Sequence, residues 1–282
     1  MRILITGGTG YIGHTVALAL RKRNHDVAAL VRPESDGGAL RDHGIVVVSG
    51  DLHSLPSLAK TLSEYDAYIH AAMANQDAVK LDRTAVDVFS AAGGYFVFTS
   101  GVWVLGNTNG KIVDEDSPLN PLPLVAWRPA HEQITLRGGK NAVVRPGIVY
   151  GGRQSIFRDW FASAEQKRPI QIVGDGSNRW PLVDVGELAD LYVRAVEKRT
   201  AGILHGVDDT KATVEECARA VAPKGEIAKV PLEKAREKFG PFADALASNQ
   251  EVSSEKTRRK IGWNPRKTFT AAVDEQRRDW RA

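Results

Sequence analysis

Residues 4–13 read LITGGTGYIG. A short apolar run, RILIT (2–6), leads into Gly7, Gly10 and Gly13, and a stretch with helical periodicity, IGHTVALALRKR (12–23), follows at once. Strand, tight turn and helix thus succeed one another with no spare residues. A turn this tight needs a residue without a Cβ. A pyrophosphate laid on the helix N-terminus needs open access to backbone N–H groups, and the last glycine lets helix and strand approach closely. The spacing Gly-x-x-Gly-x-x-Gly in this context predicts a dinucleotide site formed by Thr6, Gly7, Gly10, Tyr11, Ile12 and Gly13.

Outward from this loop the same alternation continues. VAALV (27–31), IVVVS (45–49), AYIHA (67–71), YFVFTS (95–100) and NAVVRP (141–146) are short apolar runs bounded by Gly, Asp or Pro. Most lack a clean polar–apolar alternation, as expected of parallel strands buried on both faces. Helical patterns lie between them at 55–64, 76–93 and 124–137. The fold class predicted is α/β, a Rossmann-like doubly wound parallel sheet. After residue 150 the pattern loosens into helical stretches at 156–167, 186–199, 213–222 and 231–239. This predicts a dinucleotide-binding domain over 1–150 and a smaller substrate-binding lobe over 151–282. Part of 184–208, with LHGV (204–207) as one more strand, would return to the first domain.

Composition narrows the partners. The 282 residues carry a formal charge of +4 and are 43% hydrophobic, the balance of an ordinary globular protein. The densest basic run, EKTRRK (255–260), is interrupted by Glu255 and Thr257 and reads as a solvated helix face rather than a nucleic-acid patch. No apolar run is long enough to span a bilayer. The single cysteine, Cys217, sits in an amphipathic helical pattern and reads as a buried structural thiol. With no disulfide framework and no leader-like segment before MRILITGG, a cytoplasmic location is expected, as are a small-molecule substrate and no nucleic-acid, membrane or metal partner.

GDL (50–52), YIHAA (68–72), FVFTSGVWVLG (96–106), RPGIVYG (145–151), GDGSNRWPLVDVGELA (174–189) and KTRRKIGWNP (256–265) follow the glycine loop in order. Taken together the chain resembles the extended short-chain dehydrogenases/reductases, the NAD(P)-dependent epimerase/dehydratase group, nearly end to end. The resemblance implies that Asp51 and Leu52 lie beside the adenine and Ala71 near the pyrophosphate. It also makes a homodimer through helices 76–93 and 124–137 an expectation. The second strand ends in LVRPES (30–35), with Arg32 where an NAD-selecting fold offers an acid to the ribose hydroxyls. A planar cation suits a 2′-phosphate, so NADP(H) is expected in preference to NAD(H).

Chemistry in this family rests on a Ser or Thr after the fifth strand and on Tyr-x-x-x-Lys in the following helix. Aligned through NPLPLVAWRPAHEQ (120–133), Leu124 falls at the tyrosine, Arg128 at the lysine and Gly101 at the Ser/Thr. Leucine transfers no proton, and arginine is too basic to exchange one, although it can still bind ribose hydroxyls. A shift of three would pair Trp127 with His131 and supplies no acid at the tyrosine. Ser100 and Arg128 are therefore the expected catalytic groups. Thr99, His131, Tyr150, His70 and Asp184 are further candidates, with His131 and His70 expected to be structural. Where sugar-nucleotide members carry a diphosphate-clamping arginine this chain has Trp180, and Arg179 beside it would face away. Trp103, Tyr150 and Trp180 are expected to line an apolar-aromatic substrate pocket. These features support an NADP(H)-dependent oxidoreductase acting on a small, partly apolar organic substrate. Two alternatives stand beside it: a non-catalytic NADP(H)-binding regulator or sensor, and a sugar-nucleotide epimerase/dehydratase, which both departures disfavour.

Overall fold

A computed structural model describes residues 1–74, 76–152 and 154–281. Seven parallel strands form the central sheet: β1 (Arg2–Thr6), β2 (Asp26–Val31), β3 (Val46–Ser49), β4 (Ala67–His70), β5 (Tyr95–Thr99), β6 (Ala142–Pro146) and β7 (Gly202–Gly206). Their spatial order is β7-β6-β5-β4-β1-β2-β3. The order reverses between β1 and β4, and in such sheets ligands bind outside the strand C-termini at that reversal. Thr6 is paired with His70 in register across it.

Helices α1 (Tyr11–Lys22), α2 (Ala78–Ala91), α3 (Arg128–Leu136) and α4 (Val185–Lys198) cover the two faces. In α1, Gly13, Val16, Ala17 and Leu20 are buried, the i, i+3, i+4, i+7 stripe of a helix that packs on one side. They join Leu188, Leu191, Tyr192 and Val196 of α4, and Trp263 beyond it, in one core layer against β1 and β2. The opposite layer contains Leu81, Ala85 and Phe89 of α2 and Ile134 of α3, against Leu4, Tyr68, Phe96 and Phe98. The inner strands are therefore covered on both faces, which is why they read as continuous apolar runs, while the edge strand β3 keeps Val46 exposed.

The 124–137 segment is not one helix. Pro123–Val125 forms a turn of 3₁₀ helix, and α3 starts at Arg128 with Pro129 in its first turn. The 55–64 segment divides likewise, with Leu55–Leu58 as 3₁₀ helix and Ala59–Leu62 as α-helix. The second core, in the C-terminal lobe, is aromatic, built from Tyr150, Phe157, Trp160, Trp180 and Phe269 with Cys217 buried beside them. Three short parallel pairs frame this half: Ile148–Tyr150 with Leu182–Asp184, Ile170–Val173 with Ile227–Val230, and Ile112–Val113 with Glu251–Val252. No helix among the described residues is long and apolar enough to cross a membrane.

Candidate functional site

The glycine loop sits at the strand reversal. Gly7 has φ +79°, and a Cβ there would lie 2.6 Å from the Ala71 carbonyl carbon. A Cβ on Gly13 would come within 2.2 Å of the Gly7 oxygen. Both glycines are thus required for the loop to close on β4. Gly10 precedes α1 in extended conformation, and no side chain caps the helix. The first-turn amides of α1 are left for an external acceptor, and no acidic residue opposes an anion there. These features fit a dinucleotide pyrophosphate on this N-terminus. Tyr11 donates its hydroxyl to the Gly151 carbonyl at 2.5 Å, which ties the loop to the start of the lobe. Burial, with Asp184 nearby, pushes this phenol well above its ordinary range.

At the end of β2, Arg32 is exposed, its nearest ionic neighbour being Glu34 at 3.4 Å. Asp51 is part of a turn, accepting the Ser54 amide at 2.8 Å, and Leu52 is buried beside it. Arg128 donates to the Thr99 carbonyl at 2.8 Å, and its guanidinium lies 4.6 Å from the Trp127 ring centre. It therefore reaches the C-terminal end of β5. Leu124 is 38% exposed and Met73 is 72% exposed, so apolar side chains face outward beside this position. Gly101 is extended at φ 179°, and a Cβ there would meet no described atom within 4 Å.

The other expected donors are engaged elsewhere. Ser100 is buried and gives its hydroxyl proton to Glu132 at 2.5 Å. Glu132 in turn holds Arg145 by two bonds, Nε–Oε1 at 3.0 Å and Nη2–Oε2 at 2.5 Å. The structure thus turns Ser100 into a buried ion pair and does not present it to the cleft. Removing one partner of such a pair strands the other charge in the core. Glu132→Gln is accordingly expected to cost about 3–5 kcal/mol of stability, read as a lower denaturant midpoint. Thr99 shares a 2.7 Å hydrogen bond with the Tyr192 hydroxyl.

Tyr150 is fully buried and donates to Asp208 at 2.8 Å, so its phenol belongs to the lobe core rather than to a pocket edge. Burial raises the Asp208 carboxyl to about 6. Asp184 caps α4 through the Gly186 and Glu187 amides.

Trp180 is 6% exposed, stacks on Trp160 at 5.9 Å and donates its indole N–H to the Leu246 carbonyl. Arg179 turns to Glu251 at 2.9 Å. A cavity of about 920 Å³ opens in the lobe, walled on one side by Phe157, Trp160, Trp180 and Phe242, with Arg158, Arg168 and Lys238 also on its lining. Trp103 meets Phe242 edge-on at 5.7 Å. Trp103 and Trp180 thus both touch this aromatic wall, and Tyr150 lies behind it. Among the described residues no group of three His, Cys, Asp or Glu side chains is placed to hold a metal ion.

His131 and His70 are joined through Asp82, a residue that no sequence signal singled out. His131 Nδ1 lies 2.7 Å from one oxygen of Asp82, and His70 Nε2 lies 3.3 Å from the other. The second nitrogen of His70 lies 2.6 Å from the Thr6 hydroxyl. Asp82 is one of several polar residues in a helical stretch, and nothing local marks it. Burial pushes its carboxyl up, but the hydrogen bonds from His131 and His70 and the charges of His70 and Arg128 outweigh that and hold it below the usual range.

The sequence model of the NAD dependent epimerase/dehydratase family matches residues 3–205. An uncharacterized Schizosaccharomyces pombe protein, C2A9.02, is 30% identical over 94% of this chain and 95% of its own. A Streptomyces 3-diazoavenalumate denitrifying reductase is 27% identical over 94% of this chain and 96% of its own. Among solved structures, human epimerase family protein SDR39U1 with NADPH superposes with a TM-score of 0.83 at 20% identity, covering 99% of this chain and all of that one. The glycine loop at the strand reversal, the sheet order and these matches agree: the chain belongs to the NAD-dependent epimerase/dehydratase family of extended short-chain dehydrogenases/reductases.

Proposed function

We propose that this protein is an NADP(H)-dependent oxidoreductase that acts on a small, partly apolar organic substrate. The observation that carries this reading is the aromatic cavity of the lobe, in which Trp180 occupies the place of a diphosphate clamp. An indole packed on Trp160 suits a planar or apolar group, and at that position it offers no charge to a diphosphate; the cations Arg158, Arg168 and Lys238 lie elsewhere on the lining. The reductase among the relatives supports the same chemistry. A reduced nicotinamide, when bound, supplies a hydride. The glycine loop and α1 would hold the pyrophosphate, Arg128 the ribose beside β5, and Gly101 and Leu124 the open wall facing the substrate.

For the cofactor, the exposed Arg32 with no acid at its own position supports a 2′-phosphate. NADPH is expected to bind at least tenfold more tightly than NADH, about 1.4 kcal/mol. Fluorescence titration of both cofactors checks this. Arg32→Ala is expected to bring the two affinities together, and a preference for NADH in the unaltered protein would defeat the assignment.

Steady-state oxidation of NADPH across a panel of aromatic and aliphatic ketones and aldehydes tests the function itself. The apolar Leu124 and the diverted Ser100 favour a second reading, a sensor that binds NADP(H) without turnover. Tight NADPH binding with no oxidation of it across the panel would select that reading. The exposed Val79 on α2 and Leu124 just before α3 support a homodimer through these helices, which sedimentation equilibrium would measure.

A further inference from the structure

The reduction proposed above needs a proton as well as a hydride, and the groups around the ends of β4 and β5 leave few sources. The hydroxyls of Ser100, Thr99, Tyr192 and Tyr11 are each paired inside the fold. Leu124 has no proton to give, and Arg128 holds its own too tightly.

His131 differs from all of these. It lies one helical turn beyond Arg128, its ring 4.9 Å from that of Trp127. Its Nδ1 is fixed on Asp82, while Nε2 has no hydrogen-bond partner among the described residues, and the side chain keeps only about 5% of its surface exposed. His70, with both nitrogens engaged by Thr6 and Asp82, is a fixed strut. A buried carboxylate on one nitrogen and a free second nitrogen is the arrangement that orients an imidazole and stabilises its protonated form.

The geometry points to His131 as the proton source of this site, working through a water and positioned by Asp82. This rests on the oxidoreductase reading. A reduced nicotinamide, when bound, would break its own C–H bond and be oxidised in supplying the hydride that forms the new C–H bond at the substrate carbonyl carbon. The C=O π pair moves to oxygen, and that oxygen takes a proton from the water. The water recovers its proton from Nε2 of the His131 imidazolium. Neutral His131 stays on Asp82 and is reprotonated from solvent. The titratable and charged groups around the pair are Asp82 from α2, which His131 bonds, His70 from β4 on the other oxygen of Asp82, and Arg128 on α3, whose charge acts on Asp82; Glu132, also on α3, is occupied by Arg145.

Two measurements test this. The first is ¹⁵N NMR of the histidine side chains in the intact protein, with and without NADP⁺. The His131 Nε2 signal is expected to shift when NADP⁺ is added. An Nε2 signal that NADP⁺ leaves unmoved overturns the proposal whatever the activity. The second is kinetics. His131→Ala is expected to lower kcat for carbonyl reduction about 100-fold, with KM for NADPH little changed and turnover restored by added imidazole. The limb on which activity falls as pH rises is expected to move to lower pH in Asp82→Asn, because the imidazolium loses its carboxylate. Unchanged kcat in His131→Ala, or a loss that imidazole does not rescue, overturns the role alone. Absence of turnover in the unaltered protein defeats the oxidoreductase reading, and the role with it.

Discussion

Gly10→Val is expected to weaken NADPH binding by at least about 100-fold, or ~2.7 kcal/mol, while the chain stays folded. Gly10 is extended and negative in φ, so valine meets no forbidden backbone conformation there. Its Cβ would lie 3.3 Å from the Gly7 oxygen, a contact that small shifts relieve. The two γ-methyls would instead fill the space above the first-turn amides of α1, where a pyrophosphate has to lie. Fluorescence titration beside a circular dichroism melt separates binding from folding. Gly13→Ala makes the opposite case: a Cβ 2.2 Å from the Gly7 oxygen forces strand and helix apart, and the melt itself is expected to fall. Normal NADPH affinity in folded Gly10→Val would remove the loop from the site.

Restoring the family's missing groups is expected to raise carbonyl reduction about 100-fold. In the double variant Gly101→Ser, Leu124→Tyr, a hydroxyl and a phenol would stand where the chain now has a hydrogen and an isobutyl group. Both positions accept them: Gly101 is extended with open space at its Cβ, and Leu124 is already 38% exposed. The phenol would lie one turn before the Arg128 guanidinium, whose positive charge favours the phenolate and lowers its pKa. General-acid assistance of this kind is worth roughly 10²-fold or more. The comparison is kcat/KM on activated aldehydes for the double variant, each single variant and the unaltered protein. Equal rates in all four would place Leu124 away from the reacting carbonyl.

The central sheet was legible in the sequence because its inner strands are buried on both faces. RILIT, VAALV and YFVFTS have no reason to be apolar throughout except that requirement, and β1, β2 and β5 fall within a residue of those runs. The short strands Leu182–Asp184 and Ile227–Val230 were not legible, since so few residues carry no period. The break at Ala126–Trp127 was missed because the apolar spacing and the helical dihedrals continue across it, while Pro129, with no amide hydrogen, interrupts the hydrogen-bond ladder. The candidate site was legible where backbone does the work: Gly7 and Gly13 have to be glycine whatever surrounds them. Its side-chain chemistry depends on partners far away in sequence. Ser100 is claimed by Glu132, Tyr150 by Asp208 and His131 by Asp82, and none of these pairings leaves a local pattern.

The strand Gly202–Gly206 has a consequence for how this chain can be recombined. It closes one side of the sheet by pairing with β6, after the chain has already built part of the lobe. α4 and Trp263 belong to the same core layer as the glycine-loop helix. A crossover that exchanged everything after residue 150 for a relative's lobe would therefore replace part of the sheet too. A fragment ending there would leave β6 as a bare apolar edge, open to pairing with another chain. Viable chimaeras would exchange the blocks on either side of 182–206 and keep that stretch, together with the segment around Trp263, from the parent that supplies the sheet.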